Sequence, residues 1–232
     1  MPDTIAWLVA TLIGYLLGSI PSAFIVGKAL GGMDIRRRGS GNVGASNIMV
    51  HFGVPVGLAV GTFDCLVKGT LPPLLAAKVF GLPFWGAAIP GLAAVAGHAW
   101  SPFIGFRGGR GVATAIGVML AMSTLGHWVP GAGFSLVALL GWLRFRSAGF
   151  WVGAGFYLMP LWPLVLGRPG QETLFALSLT VLLAAKRLMG NWERPVATEP
   201  TYRVILYRLL LDRDVRDRKE WIARQRGEED LR

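Results

Sequence analysis

The chain has 232 residues, of which 53% are apolar and only 16% charged, and its mean hydropathy is +0.51. Soluble proteins average about 25% charged residues, so an ordinary water-soluble globule is excluded, and disorder, which needs the opposite composition, is excluded with it. One cysteine, Cys65, rules out a disulfide framework or a multi-cysteine metal site, and in so apolar a chain the net charge of +10 belongs at membrane edges rather than on nucleic acid.

Apolar stretches predict seven membrane-spanning helices, over 5–27, 54–77, 83–103, 112–125, 128–143, 149–166 and 173–189. Several approach the ~20 residues that a bilayer needs. The fourth and fifth are short, and a single bent pair is the competing reading there. The first span reads as a retained helix, because the region around Met1 has neither a basic leader nor a small-residue cleavage site. Within it, Gly14 and Gly18 form a GxxxG pair, read as a close helix–helix contact. In the second span Asp64 and Lys68 stand four apart, face each other on a helix, and read as a structural ion pair inside the bundle.

The basic residues alternate between the span junctions. Lys28 and Arg36–Arg38, Arg107 with Arg110, Arg144 with Arg146, and Lys186 with Arg187 all fall on one side, against Lys78 and Arg168 on the other. The positive-inside rule then puts the N-terminus outside and the C-terminal tail in the cytoplasm. The expected fold is therefore all-α: a polytopic integral membrane protein of about seven transmembrane helices. Residues 1–193 form the membrane domain and 194–232 a charged cytoplasmic extension, with 10 basic and 8 acidic residues. Within that extension 202–211 is apolar with interspersed Arg, which predicts a helix lying near the membrane.

Two loops on the basic side carry the chemistry. The first contains Gly39, Ser40, Gly41, Asn42, Gly44, Ser46 and Asn47 behind an arginine triplet. It matches GxGxxG, but a dinucleotide site needs that pattern between a strand and a helix, and here a membrane span follows. What survives is the physics of glycine backbone converging on an anion, with Ser and Asn adding neutral donors. The alternative is a plain turn whose arginines touch anionic lipid. The second loop places Arg107 and Arg110 around Gly108 and Gly109, just before a helix whose N-terminus favours anions. Two such loops on one side imply a phosphorylated ligand at the membrane surface. A smaller feature, Ser147 beside Arg144 and Arg146, reads either as phosphate-binding or as an ordinary interfacial loop. The histidines, His51, His98 and His127, have no metal-pair spacing, so no metal is expected. His98, at the end of the third span beside the second loop, fits either a general base or a helix-end hydrogen bond.

These residues together resemble the bacterial PlsY family, the acyl-phosphate:glycerol-3-phosphate acyltransferases. The resemblance rests on Gly18-Ser19-Ile20-Pro21, on Asp34 through Asn47, on Asp64 with Lys68-Gly69, and on Gly97-His98 through Thr114, and it covers roughly 5–193. It implies transfer of an acyl group from acyl phosphate to the 1-hydroxyl of glycerol 3-phosphate in the bacterial inner membrane, giving lysophosphatidic acid and phosphate, with no cofactor and no metal. By position it assigns catalytic roles to Ser40, Arg110 and Ser147. It assigns phosphate binding to Gly39, Gly41, Asn42, Gly44, Ser46, Asn47, Arg107, Gly108, Gly109 and His98. Membrane lipids surround the chain, and an enzyme that makes the acyl phosphate is a further partner; nucleic acid is not. The His-then-Asp dyad of soluble glycerolipid acyltransferases is absent, since the fifth positions after the histidines are Val56, Phe103 and Ala132. The chain departs from the pattern at Val50, where the family has Arg, at Val181 and Ala184, where it has His and Asn, and at Arg110, where Lys is usual. A catalytically degenerate relative that binds phosphorylated lipid or a partner enzyme, and a small transporter, are the alternatives.

Overall fold

The computed structural model describes residues 3–145, 148–168, 170–190 and 199–217, and all its regular elements are helical. Helix α1 (Asp3–Ser19) is followed by α2 (Ser22–Gly31). The single first span of the sequence reading is thus two segments. Pro21 has no N–H to donate and disfavours helical backbone at Ile20, so the chain bends there before continuing. After a 3₁₀ turn at Ile35–Arg37 come α3 (Ala45–Phe52) and α4 (Val54–Phe63).

The second span runs on without a break through a π-helical stretch, Asp64–Thr70, into α5 (Leu71–Lys78). Pro72 and Pro73 supply the reason: neither can donate to the carbonyl four residues back, so the regular ladder is lost at Lys68 and Gly69. The Thr70 hydroxyl bridges the gap, with 3.1 Å to the Cys65 carbonyl and 3.0 Å to that of Gly117. Helix α6 (Phe84–Ala99) is the central rod. Then follow α7 (Val112–Thr124), α8 (Val129–Phe145), α9 (Ala148–Leu158), the short α10 (Leu161–Val165), α11 (Gln171–Met189) and α12 (Thr201–Leu211). The fourth and fifth expected spans are two separate helices rather than one bent pair.

Among the described residues, three helical runs are long and apolar enough to cross a membrane, Thr4–Gly31, Val54–Lys78 and Phe84–Ile104, and shorter apolar helices fill out the bundle. Their outward faces carry exposed leucines and valines such as Leu8, Leu12, Leu139, Leu140 and Val165, as helices in contact with lipid tails require. Hydrophobicity cannot hold such helices together, because lipid is as apolar as leucine; close backbone packing does it instead. A Cβ at Gly14 would stand 2.3 Å from the Pro90 carbonyl oxygen, and one at Gly18 2.0 Å from that of Ala94. The GxxxG pair is indeed the α1–α6 contact. Gly117 meets the Cys65 carbonyl in the same way, so α7 lies directly on the π stretch.

The main core joins Val95, Val118, Met122, Phe134, Phe156 and Phe175, drawn from α6, α7, α8, α9 and α11. A second, smaller cluster matters more for function. Ile35, Val43 and Ile48 are buried with Ala23, Val60 and Ile104, and they pin the first glycine loop onto α2 and α4.

Candidate active site

The first loop is folded by its own side chains. Asp34 accepts hydrogen bonds from the Arg36 backbone N–H at 3.0 Å and from both Nε and Nη2 of its guanidinium, the latter at 2.6 Å. These bonds hold the Asp34 carboxyl below its ordinary carboxylate value and raise the Arg36 guanidinium. Arg36 also lies over the Phe24 ring, 4.9 Å from its centre, and donates from Nη1 to the Ile104 carbonyl at 3.2 Å. It thereby ties the first loop to the second.

Asn47 is the interior pin of the same loop. Its amide nitrogen donates to the carbonyls of Ile35 (3.1 Å), Arg38 (2.9 Å) and Asn42 (3.1 Å), while its oxygen accepts from the Ser40 N–H at 3.3 Å. Gly39, in the left-handed region at φ +57°, passes so close that a Cβ would lie 2.4 Å from that oxygen. Asn47 was expected to face phosphate; buried and fully engaged, it shapes the loop instead. The groups left on the loop's rim are the half-buried Ser40, whose hydroxyl accepts from the Asn42 N–H at 3.4 Å, the exposed Ser46, and Asn42, whose buried side-chain oxygen has no hydrogen-bond partner among the described residues.

The second loop doubles back over the end of α6. Gly108 and Gly109 donate their N–H groups to the carbonyls of Ala99 (3.2 Å) and His98 (3.0 Å). A Cβ on Gly109 would stand 2.3 Å from His98 Nε2 and 2.4 Å from the Val43 carbonyl oxygen. Only glycine allows this approach, and it brings the two loops into contact. Gly111 then starts α7 without a side-chain cap, so the first-turn N–H groups of α7, directly after the second loop, have no side-chain acceptor at the cap. Arg107 joins Arg36 in lining an open groove of about 480 Å³, walled on its apolar side by Phe24, Phe103 and Ile104.

Beneath the loops lies a buried polar cluster. Asp64 and Lys68, each only 1% exposed, pair at 2.6 Å; Ser22 donates to Asp64 at 2.6 Å and accepts from Lys68 at 2.9 Å. The expected intramembrane ion pair is therefore present, and it is a three-residue ring. His98 Nδ1 stands 3.9 Å from the other Asp64 oxygen, too far for a hydrogen bond, while the far edge of its ring faces Gly109. The Ser101 hydroxyl, donating to the Ser19 carbonyl at 2.6 Å, fastens the end of α6 to the end of α1.

Arg110 points away from this cluster toward the C-terminal segment, where its Nε lies 2.7 Å from Asp212. That segment and the end of α11 were not singled out as part of the site. Lys186, buried, donates to the Ala99 carbonyl and lies 5.6 Å from the centre of the Trp100 ring. Arg187 donates to the Leu209 carbonyl at 2.7 Å. Ser147 lies outside the described residues. Val50, at a departure from the family pattern, is 67% exposed on α3, and Val181 is 57% exposed on the outer face of α11. Neither supports the loops. The polar groups that α11 turns inward at this end are Lys186 and Arg187.

A family model described as glycerol-3-phosphate acyltransferase matches residues 8–197. A protein of Dehalococcoides mccartyi named glycerol-3-phosphate acyltransferase 4 is 36% identical over 216 residues, covering 91% of this chain and 90% of its own. One from Moorella thermoacetica, named glycerol-3-phosphate acyltransferase 2, is 43% identical over 194 residues, covering 81% and 96%. The crystal structure of PlsY (YgiH), an integral membrane glycerol 3-phosphate acyltransferase in its glycerol 3-phosphate form, is similar with a TM-score of 0.68 at 34% identity, covering 83% of this chain and 96% of that one. Its lysophosphatidic acid form gives 0.67 at 32% identity.

Proposed function

The chain belongs to the glycerol-3-phosphate acyltransferase family, and from that premise we propose that its acyl donor is an acyl phosphate and that the two glycine loops together form the reaction site. In this reaction the 1-hydroxyl oxygen of glycerol 3-phosphate attacks the acyl carbonyl carbon. The bond from that carbon to the phosphate oxygen breaks, and the hydroxyl proton leaves with the phosphate. The products are lysophosphatidic acid and inorganic phosphate. The leaving phosphate can accept the proton itself, so no side chain has to serve as a base.

The observation that carries this reading is the contact of Gly109 with Val43, which merges two loops of opposite makeup into one site. The first offers neutral donors at Ser40, Asn42 and Ser46; the second offers Arg107, Arg110 and the start of α7. Both substrates carry phosphate, and the developing oxyanion sits between them, where fixed donors stabilise it most. The groove beside Phe24, Phe103, Arg36 and Arg107 combines apolar walls with guanidinium groups, as a lipid-tailed phosphate requires. The positive-inside rule applied to the basic junctions supports a reading in which this face lies on the cytoplasmic side of the inner membrane, with the N-terminus outside, where an enzyme making the mixed anhydride would deliver it. Residues 1–193 then hold the reaction site, and 194–232 are an extension of it.

The experiment is a donor comparison. Purified protein in detergent receives glycerol 3-phosphate with acyl phosphate, acyl-CoA or acyl carrier protein thioester, and lysophosphatidic acid and phosphate are measured. Acyl phosphate should support turnover alone, releasing one phosphate per lipid. Turnover only with a thioester would refute the donor assignment.

A further inference from the structure

The C-terminal segment lies beyond the residues the family model matches, yet it is anchored to the bundle rather than trailing from it. Arg187 Nη1 and the Tyr157 hydroxyl both donate to the Leu209 carbonyl, each at 2.7 Å. Arg208, buried, donates to the Leu188 carbonyl at 2.8 Å and pairs with Asp214 at 2.6 Å. Val204 and Val215 are fully buried. These anchors fix the end of α12, where Asp212 takes a left-handed conformation at φ +57° and turns the chain toward the second loop. Asp tolerates that conformation better than most residues.

The turn delivers a carboxylate to Arg110. Asp212 Oδ1 sits 2.7 Å from Arg110 Nε, on the side edge of the guanidinium, although the N–H is not aimed along that line. At the end of the fork, Arg110 Nη1 is buried and has no hydrogen-bond partner among the described residues. A buried guanidinium N–H without a partner is costly, and a phosphate oxygen is the acceptor that the fork geometry suits. We propose that Asp212 is a positioning residue for Arg110: it holds the side edge of the guanidinium so that the end edge is presented to a substrate phosphate. The proposal rests on the reading of Arg110 as a phosphate-binding group. On it, the extension completes the site from beyond the residues that the family model matches.

Full-length wild type, Arg110→Ala, Arg110→Lys, Asp212→Asn, Asp212→Glu and the double variant Arg110→Lys with Asp212→Asn are compared, with each substrate titrated while the other is saturating. Asp212→Asn keeps the shape and loses the charge. It should raise KM for one phosphate substrate about tenfold with a smaller change in kcat, and the substrate affected identifies the phosphate that Arg110 holds. Asp212→Glu should restore much of the loss. In the Arg110→Lys background, which lacks the side edge, Asp212→Asn should add nothing. Equal losses from Asp212→Asn in both backgrounds would overturn the proposal in favour of a merely structural role. A lowered KM would overturn it in favour of a carboxylate that competes with substrate. An Arg110→Ala variant with full activity would instead remove the underlying reading. Hydrogen exchange over 201–211 checks that α12 stays docked in each variant.

Discussion

Replacing Asn47 with Ala tests the construction of the first loop without touching any atom proposed to meet substrate. The substitution removes the donor shared by the Ile35, Arg38 and Asn42 carbonyls and the acceptor for the Ser40 N–H. Ile35 is completely buried, so its carbonyl has no water to turn to and bears the penalty of an unsatisfied group, about 2 kcal/mol. The Arg38 and Asn42 carbonyls lie in less buried residues and can rehydrate, losing about 1 kcal/mol each. The total is roughly 4 kcal/mol against the closed loop. Since 1.4 kcal/mol is a factor of about ten, the closed population should fall by at least ~100-fold, and kcat/KM with it. The helical bundle is built elsewhere, so its thermal midpoint should move by only a few degrees. Lysophosphatidic acid formation gives the first number and hydrogen exchange over 34–48 the loop opening. Asn47→Asp should be at least as severe, because it turns an oxygen toward three carbonyls. An Asn47→Ala enzyme within threefold of wild type, with unchanged exchange, would refute the idea that this side chain holds the loop.

Further tests address the other contacts. Gly109→Ala forces a Cβ between His98 and the Val43 carbonyl and should abolish acyl transfer, whereas Gly105→Ala, with open space around it but φ +67°, should cost about 1–2 kcal/mol of stability and keep activity. Asp64→Asn leaves Lys68 charged and buried and should destabilise the protein by ~3–5 kcal/mol in detergent melts, while Asp64→Leu combined with Lys68→Met should recover most of that loss. The Asp34–Arg36 pair gives a pH signature. The folded carboxyl titrates below its ordinary value, so the pair's contribution is complete above that ordinary value and is lost only as pH falls through the lower one. Protection factors at 34–38, which remove the intrinsic pH dependence of amide exchange, should therefore be flat across neutral pH and fall only under acid, and Asp34→Asn should show the lowered protection at every pH.

Part of this site was legible in the chain. Gly14 and Gly18 announce a close contact because only hydrogen lets two helix backbones meet, and Asp64 with Lys68 announces a pair because four residues span one helical turn. The glycine loops stand out because membrane helices rarely need arginine and glycine runs at their ends. Other features depend on distant partners that no local pattern encodes. Asn47 looks like a ligand-facing amide in sequence, and only the fold shows three backbone carbonyls converging on it. Pro72 and Pro73 announce an irregular helix, but the reach of Thr70 to the Gly117 carbonyl on α7 is visible only in the fold. The meeting of Arg110 and Asp212 depends on where α12 docks, and α12 reads in sequence only as an amphipathic tail.

The central claim is that the two loops act as one site, and a double-mutant cycle between them tests it most directly. Ser40→Ala, Arg110→Ala and the double variant are compared by kcat/KM for lysophosphatidic acid formation. Residues that serve one transition state are strongly non-additive. Each single change should lower kcat/KM severely, by roughly 100-fold or more, and the double variant should be far less impaired than the product of the two losses. Independent, multiplying losses, or full activity in either single variant, would contradict the account.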